Sequence, residues 1–389
     1  MGSYKLVNNV NFGNNNWCMG LQPLYQYGLV TSLSNGDIHL LDWKSNQTIT
    51  KITSGNVPIN KLKVINNDFY NESLFATASL EAVKIFDIRS KDQVASINND
   101  KGSPFLSLDS RDGRLACGTE LSGVDAELYI YDVRDFSNPI RALVDSHHDD
   151  ITDIKFHPSD RNLLLSGSTD GYTNIYDLTQ EEEDDALHQV INYASIHSCG
   201  WISPRRIYTL SHMETFAISE LNDRSEELIE PQPLDFGDIR EKWDCNYVID
   251  VYAGYIATGK SQENKGSMNI IPLVGETPQL DAIIRIDNAH GDDVIRDVFI
   301  PPQQTAMMYS CGEDGNVKCW KNDTHSLTIP EGFWDYSKKF DVFDNNKDMT
   351  MYSNESEPSS EQKSHKKHSK KSKKSKNKKS KHATRYTPY

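Results

Sequence analysis

Short runs in which apolar and polar residues alternate recur along most of the chain. The segments V-K-I-F-D at 83–87 and I-T-D-I-K-F at 151–156 are two examples, and alternation with a period of two residues is typical of half-buried β-strands. Dipeptides that suit tight hairpin turns separate such runs, namely Asn35-Gly36, Asp170-Gly171 and Asp314-Gly315. The pattern therefore predicts an all-β chain of short antiparallel strands.

The alternating pattern repeats with a period of 45 residues. Four segments, H-L-L-D-W, K-I-F-D-I-R, Y-I-Y-D-V-R and N-I-Y-D-L, carry the equally spaced aspartates Asp42, Asp87, Asp132 and Asp177. A unit of four short strands cannot bury its own apolar faces, so consecutive units are expected to stack around a ring. The pattern extends to seven units, near residues 17–43, 59–89, 103–134, 147–178, 189–219, 243–273 and 290–321.

Two of the units contain the residue types of a nucleophilic triad. In the last unit these are His290, Ser310, Asp314 and, six residues further on, Trp320. The fourth unit repeats the spacing with His147 or His148, Ser166, Asp170 and Tyr176. A hydrolase centred on Ser310 is one hypothesis. However, a catalytic triad is normally made once in a chain, so the repetition favours a structural role.

Units four and seven resemble WD repeats, as in H-H-D-D-I-T-D-I-K-F and Y-S-C-G-E-D-G-N-V-K-C-W. The resemblance implies a seven-bladed WD40 β-propeller over residues 1–330, in which the four residues of each set are buried and hydrogen-bonded to one another. The layout is similar to nuclear WD-repeat proteins of the WD repeat-containing protein 89 type. Units two, five and six depart from the pattern, and we expect apolar packing to hold them. Residues 4–7 with 10–12, or the rival segment 326–329, would supply the strand that closes the ring.

Binding sites are expected on the two flat faces of the ring. Two acid pairs follow the repeat histidines and would lie on the narrower face, where they could attract a basic peptide: Asp149, Asp150, Asp292 and Asp293. Solvated acidic loops are the alternative. On the wider face, Arg89 and Arg134 end the D-x-R motifs of adjacent units and resemble the motif by which WD-repeat substrate receptors dock on the adaptor of cullin-4 ubiquitin ligases. Local salt bridges are the alternative for these arginines.

The charge is divided unevenly along the chain. The formal net charge is -15, yet residues 363–389 contain eleven lysines, one arginine and no acidic residue. We expect the linker 331–362 to be mostly disordered and the lysine-rich tail 363–389 to be disordered, because both have too few apolar residues to form a core. Lysine clusters of this type indicate nuclear import, with import receptors as partners, or non-specific RNA contact. The candidate import residues are Lys366, Lys367, Lys370, Lys371, Lys373, Lys374, Lys376, Lys378, Lys379 and Lys381.

Other classes of site are not indicated by the sequence. The six cysteines are scattered without a C-x-x-C pair, which favours buried thiols over a disulfide framework or a zinc site. We expect no metal, no cofactor, no small-molecule substrate and no membrane segment. The sequence therefore predicts a non-catalytic scaffold for protein–protein interactions, located in the nucleus or nucleolus with some cytoplasmic pool. The alternatives are a cullin-4-type substrate receptor and the hydrolase.

Overall fold

The computed structural model describes residues 4–13, 15–55, 57–65, 73–224, 232–263, 265–302, 304–322, 327 and 342–343. These residues form seven antiparallel sheets, six of four strands and one of five. Apart from the strands, they contain the four-residue helix α1 (Glu183–Ala186) and one 3₁₀ helix (Leu280–Ala282). The predicted all-β, seven-bladed propeller is confirmed. The predicted tail, 363–389, lies outside the described residues.

Strand β1 (Tyr4–Asn11) precedes the first blade. Blades 1 and 2 contain β2 (Cys18–Leu24), β3 (Gly28–Leu33), β4 (Asp37–Leu41), β5 (Thr48–Thr53), β6 (Ile59–Val64), β7 (Leu74–Ser79), β8 (Val83–Asp87) and β9 (Asp92–Ile97). Blades 3 and 4 contain β10 (Phe105–Arg111), β11 (Arg114–Thr119), β12 (Ala126–Asp132), β13 (Arg141–His147), β14 (Ile151–Phe156), β15 (Leu163–Ser168), β16 (Tyr172–Asp177) and β17 (Leu187–Asn192).

The later blades follow the same plan. Blade 5 contains β18 (Ile196–Ser203), β19 (Arg206–Ser211), β20 (Thr215–Glu220) and β21 (Leu234–Asp238). Blade 6 contains β22 (Tyr247–Tyr252), β23 (Tyr255–Lys260), β24 (Ser267–Val274), β25 (Thr277–Pro278) and β26 (Ile284–Asp287). Blade 7 is formed by β27 (Ile295–Phe299), β28 (Met307–Gly312) and β29 (Asn316–Asn322) together with β1. Strand β17, which overlaps the start of the unit predicted near 189–219, is the outer strand of blade 4.

The N-terminal strand closes the ring. Strand β1 pairs antiparallel with β29, so that Tyr4 lies opposite Asn322 and Asn11 lies opposite Asn316. Tyr4 is buried, and its hydroxyl donates to the carbonyl of Thr305 at 2.6 Å. Blade 7 therefore joins the two ends of the propeller through one sheet. Of the rival segment 326–329, only Leu327 belongs to the described residues.

Apolar contacts between neighbouring blades form the core. The cluster between blades 1 and 2 combines Leu24 and Val30 with Leu62, Phe75 and Phe86. Blades 5 and 6 share a similar cluster that includes Leu210, Phe216, Trp243, Ile256 and Ile271. Burial of each such side chain stabilises the fold by about 1.5–3 kcal/mol, which explains how blades with an incomplete polar set remain packed.

The connectivity defines two faces and a central channel. The first strand of each blade is the innermost one, next to the axis. The loops that lead into these innermost strands lie on one face of the ring, together with the turns between the second and third strands. This top face corresponds to the narrower face predicted from the sequence. The remaining turns lie on the bottom face. Each innermost strand contacts the next, and β27 contacts β2. Seven strands therefore surround the axis without a gap.

A β-bulge recurs at the same place in every innermost strand. The register with the second strand shifts near the start of the innermost strand in every blade. Counted from the start of the strand, the shift in blade 6 falls one residue later than in the other blades, and blade 5 has a second shift, between Trp201 and Ser203. Bulges re-aim the side chains beside them. We use the term channel ring for the seven residues that immediately follow the first shift in each innermost strand: Gly20, Lys61, Ser107, Asp153, Ser198, Asp250 and Asp297.

Candidate interaction surfaces

The structure brings the four residues of blade 7 together in one hydrogen-bonded chain. The indole N–H of Trp320 donates to Ser310 Oγ at 2.8 Å, and Ser310 Oγ lies 2.7 Å from Nε2 of His290. Nδ1 of His290 lies 2.8 Å from Oδ1 of Asp314. The assignment that satisfies every group has Nδ1 protonated toward Asp314 and Nε2 accepting from the serine. Ser310 has no exposed surface, so its hydroxyl is out of reach of a substrate.

Burial and hydrogen bonding hold this chain in its neutral-histidine form. Burial lowers the pKa of His290 below its ordinary value, although the hydrogen bond to Asp314 opposes the effect. Burial acts to raise the pKa of Asp314, but the bond from His290 and the nearby Lys318 outweigh it, so that the pKa is lowered. The histidine is therefore uncharged and the aspartate ionised near neutral pH.

Blade 4 contains a second set with one substitution. Nε2 of His147 lies 2.7 Å from Ser166 Oγ, and its Nδ1 lies 2.9 Å from Asp170. Tyr176 replaces the tryptophan and meets the serine at 3.4 Å. His148, the other histidine considered for this role, has a 70% exposed side chain and pairs with a different carboxylate.

The two acid pairs of the top face differ in their surroundings. Asp150 accepts the backbone N–H of Leu121 at 2.9 Å, and Asp149 accepts the N–H of Asp150. These two carboxylates therefore help to hold loops. Asp292 and Asp293 are exposed, and no hydrogen bond to either carboxylate is found among the described residues. Of these four acids, Asp292 and Asp293 are therefore the more available to a ligand.

The channel ring carries charges on several blades. Lys61 and Asp153 lie on blades 2 and 4, yet the lysine Nζ is 3.8 Å from the aspartate Oδ1, which places both side chains inside the channel. Lys155 adds a second cation at 2.8 Å from Asp153. Lys63, also on blade 2, pairs with Asp109 on blade 3 at 2.6 Å. On blades 2 to 4, the carboxylates Asp109 and Asp153 are therefore each paired with a lysine.

Asp250 and Asp297, on blades 6 and 7, have only neutral donors. Ser198 Oγ donates to Asp250 at 2.8 Å, and the hydroxyl of Tyr252 donates to Asp297 at 2.6 Å. Asp297 also accepts the N–H of Leu21 from blade 1 at 2.8 Å. Among the described residues, no lysine or arginine forms an ion pair with either carboxylate. Burial raises the pKa of Asp297 above its ordinary value, although the hydrogen bonds from Tyr252 and Leu21 and the more distant charge of Lys61 oppose the effect.

Arg89 and Arg134 lie at equivalent positions on the bottom face of blades 2 and 3. Each guanidinium folds back on the aspartate two residues earlier: Arg89 Nη2 is 2.7 Å from Asp87, and Arg134 is bonded in the same way to Asp132. Their side chains are still 59% and 82% exposed. Arg240 forms the same fork with Asp238 at the end of β21. Arg89 and Arg134 therefore form the local salt bridges that were one alternative, and they also keep the exposed surface that docking on a partner would need.

Several sequence expectations concern chemistry elsewhere in the molecule. All six cysteines belong to the described residues, and each is buried and free of a disulfide. No three His, Cys, Asp or Glu side chains of the described part are grouped so that they could hold a metal ion. No helix in that part is long and apolar enough to cross a membrane. The ten lysines proposed for nuclear import lie outside the described residues.

Sequence reasoning overlooked the channel ring. A signal was present, since the first strand of units four, six and seven contains an aspartate directly before a core residue, as in Asp153-Ile154, Asp250-Val251 and Asp297-Val298. The bulges that align these positions are a tertiary feature. The contacts of Val342 and Phe343, described below, were also overlooked, because they join parts of the chain far apart in sequence.

Known proteins show the same repeat. The profile of the family described as WD domain, G-beta repeat matches residues 138–177 and 282–321, which contain both polar sets in full. A WD repeat-containing protein of Saccharomyces cerevisiae is 62% identical over 342 residues, 88% of either chain. A WD repeat-containing protein 89 homolog of Dictyostelium discoideum is 32% identical over 77% of this chain and 82% of its own length. Histone acetyltransferase type B subunit 2 of Candida glabrata is 28% identical over 43% of this chain and 41% of its own.

Propellers of this family mediate protein–protein interactions. Each profile match covers the outer strand of one blade and the three inner strands of the next, which is blade 4 in one case and blade 7 in the other. The two longer similarities extend over most of the seven blades. The chain therefore belongs to the WD-repeat proteins.

Proposed function

We propose that this protein is a non-catalytic nuclear scaffold whose top face and channel bind a basic peptide segment of a partner protein. The burial of Ser310 supports the absence of hydrolytic chemistry. A relative named as a subunit of a histone acetyltransferase supports a role within a multi-protein assembly. The peptide partner follows from the charges of the channel.

The observation that carries the proposal is the pair Asp250 and Asp297. A half-buried carboxylate without a cation in direct contact is costly, and a lysine or arginine inserted from a partner would reduce that cost. The exposed Asp292 and Asp293 lie on the same blade as Asp297 and would attract the approaching positive charge. The acids thus continue from the top face into the channel.

The test is binding of fluorescein-labelled peptides that each carry one arginine or one lysine flanked by alanine and glycine. Of these two peptides, the one that binds the unmodified chain more tightly is used for comparison. We expect the double variant Asp250→Asn with Asp297→Asn to weaken its binding at least tenfold. Asp184→Asn with Asp185→Asn in the exposed helix α1 changes the net charge equally and serves as the control. Equal weakening in both double variants would mean that net charge alone attracts the peptides, and the proposal would fail.

A second candidate function is that of a substrate receptor for a cullin-4-type ubiquitin ligase. It is favoured by Arg89 and Arg134, whose exposed guanidinium groups are held in the same local fork on adjacent blades. The fork fixes the side chains and so lowers the entropy cost of docking. This function would use the bottom face and is compatible with peptide binding on the top face.

The lysine-rich tail is proposed to direct nuclear import. Its positive charge would also allow non-specific contact with RNA backbone, which is the alternative. Both roles depend on charge alone.

A further inference from the structure

A groove on the bottom face, between blades 4 and 5, holds a segment from the far end of the described chain. Val342 is only 2% exposed. It packs into an apolar cluster that includes Leu163 of blade 4 and Trp201 and Leu221 of blade 5. Blade 7 ends at Asn322, so this contact is made by a separate segment that returns to blades in the middle of the ring.

A polar contact fixes the backbone of this segment. The N–H of Val342 donates to Oδ2 of Asp160 at 3.1 Å. The loop that carries Asp160 is held by His157, whose Nδ1 accepts the N–H of Ser159 at 3.0 Å and of Asp160 at 2.8 Å. Nε2 of His157 lies 2.9 Å from the carbonyl of Pro204 on blade 5. The Asp160 carboxylate, which accepts the N–H of Val342, is therefore held in place by contacts within the blades.

The aromatic ring of Phe343 occupies a second position in the groove. His188 of blade 4 meets the ring edge-on at a centroid distance of 5.0 Å. The guanidinium of Arg224, from blade 5, lies 4.4 Å from the centroid of the same ring. Arg224 is anchored by Asp177 at 2.6 Å. A cation above an aromatic face and an edge-on imidazole are both favourable arrangements.

These contacts have the properties of short-peptide recognition. One buried aliphatic side chain, one aromatic side chain and one main-chain N–H make the contacts, and the segment joins none of the seven sheets. The sheets of blades 4 and 5 are complete without it. Asp341 and Asp344 flank the two residues in sequence, and the exposed part of Arg224 would attract such acids.

We propose that the groove is a binding site for short Asp-Val-Phe-Asp-like peptides, which this chain fills with Val342 and Phe343 until a partner protein displaces them. The partner segment is an aliphatic residue followed by an aromatic one, flanked by acids. A tethered segment has an effective concentration on the order of millimolar. A partner peptide therefore binds the intact chain weakly and binds strongly once the internal segment is released.

The experiment uses the full chain with Val342→Ala and Phe343→Ala, and a fluorescein-labelled peptide of residues 337–347, S-K-K-F-D-V-F-D-N-N-K. Fluorescence polarisation should show saturable binding to the double variant. Binding to the unmodified chain should be at least tenfold weaker, because the internal segment competes. Arg224→Ala added to the double variant should weaken binding about threefold to tenfold through loss of the cation above the ring.

Two controls distinguish binding in the groove from non-specific binding of the peptide elsewhere on the protein. A peptide with both residues replaced by alanine should not bind. Val274→Ala with Leu280→Ala removes two exposed apolar side chains elsewhere and should leave the weak binding of the intact chain unchanged. No binding to the Val342/Phe343 variant, or equal binding to it and to the unmodified chain, would overturn the proposal. So would a variant that no longer unfolds cooperatively, since the segment would then be part of the core.

Discussion

Nε2 of His290 lies 2.7 Å from the hydroxyl oxygen of Ser310, deep inside blade 7. Ser310→Ala would leave the imidazole nitrogen and the indole N–H of Trp320 without a partner. We expect the free energy of unfolding to fall by about 1–3 kcal/mol, measured by urea denaturation. Ser96→Ala, at an exposed position of β9, should change it by less than about 0.5 kcal/mol. A specific hydrolytic activity lost without any loss of stability would support the hydrolase hypothesis instead.

Closure of the ring by β1 is tested by Tyr4→Ala. The side chain is buried against blades 6 and 7 and donates to Thr305, so its loss leaves a cavity. We expect a decrease of about 2–4 kcal/mol in the free energy of unfolding. Val7→Ala on the same strand removes a side chain that is 58% exposed and should be close to neutral. If both variants were equally stable, the first strand would not contribute to closure.

Glu214 gives the stability of the protein a defined pH dependence. Burial raises the pKa of its carboxyl from 4.5 to about 7, although the N–H of Val248 donates to it and opposes the effect. Between these values the folded state holds a proton that the unfolded state lacks. The corresponding stabilisation is complete below pH 4.5 and is lost as the pH rises through about 7.

Glu214→Gln removes this titration while its amide oxygen can still accept the N–H of Val248. Relative to the unmodified chain, the variant should gain about 1–2 kcal/mol between pH 5 and pH 8, allowing for solvent screening of a half-buried group. Urea denaturation of both proteins at the two pH values provides the measurement. A stability difference that is the same at both would contradict the raised pKa.

The substrate-receptor candidate is tested by Arg89→Glu with Arg134→Glu. Because the two exposed forks lie on adjacent blades, charge reversal should abolish co-purification with the ligase adaptor and leave the thermal unfolding midpoint nearly unchanged. Arg240→Glu is a matched control, since Arg240 forms the same fork with Asp238 but at the end of β21. Adaptor recovery that is unaffected by the double reversal would exclude this docking mode.

Nuclear import by the tail is tested with fluorescent fusions. A fusion that ends before residue 363 should be excluded from nuclei or distributed evenly, because import receptors bind clustered lysines. Replacement of the ten candidate lysines by glutamine keeps the length of the tail and should have the same effect. Nuclear accumulation of either fusion would show that another part of the chain directs import.

The sequence by itself determined the architecture and the two polar sets. Strand alternation and the period of 45 residues depend on local geometry, since side chains alternate across a strand and each blade repeats one pattern. For the same reason the spacing of Ser310 and Asp314 could be compared directly with that of Ser166 and Asp170. The recurrence of one spacing in two blades was visible without coordinates.

Only the tertiary structure decided which groups meet across the ring. The choice of His147 over His148, the pairing of β1 with β29, and the approach of Lys61 to Asp153 each depend on strands that are brought together only in the folded ring. Such contacts depend on blade closure and bulge position, which no local pattern encodes. The docking of Val342 against blades 4 and 5 is a further case, because 182 positions separate it from Asp160.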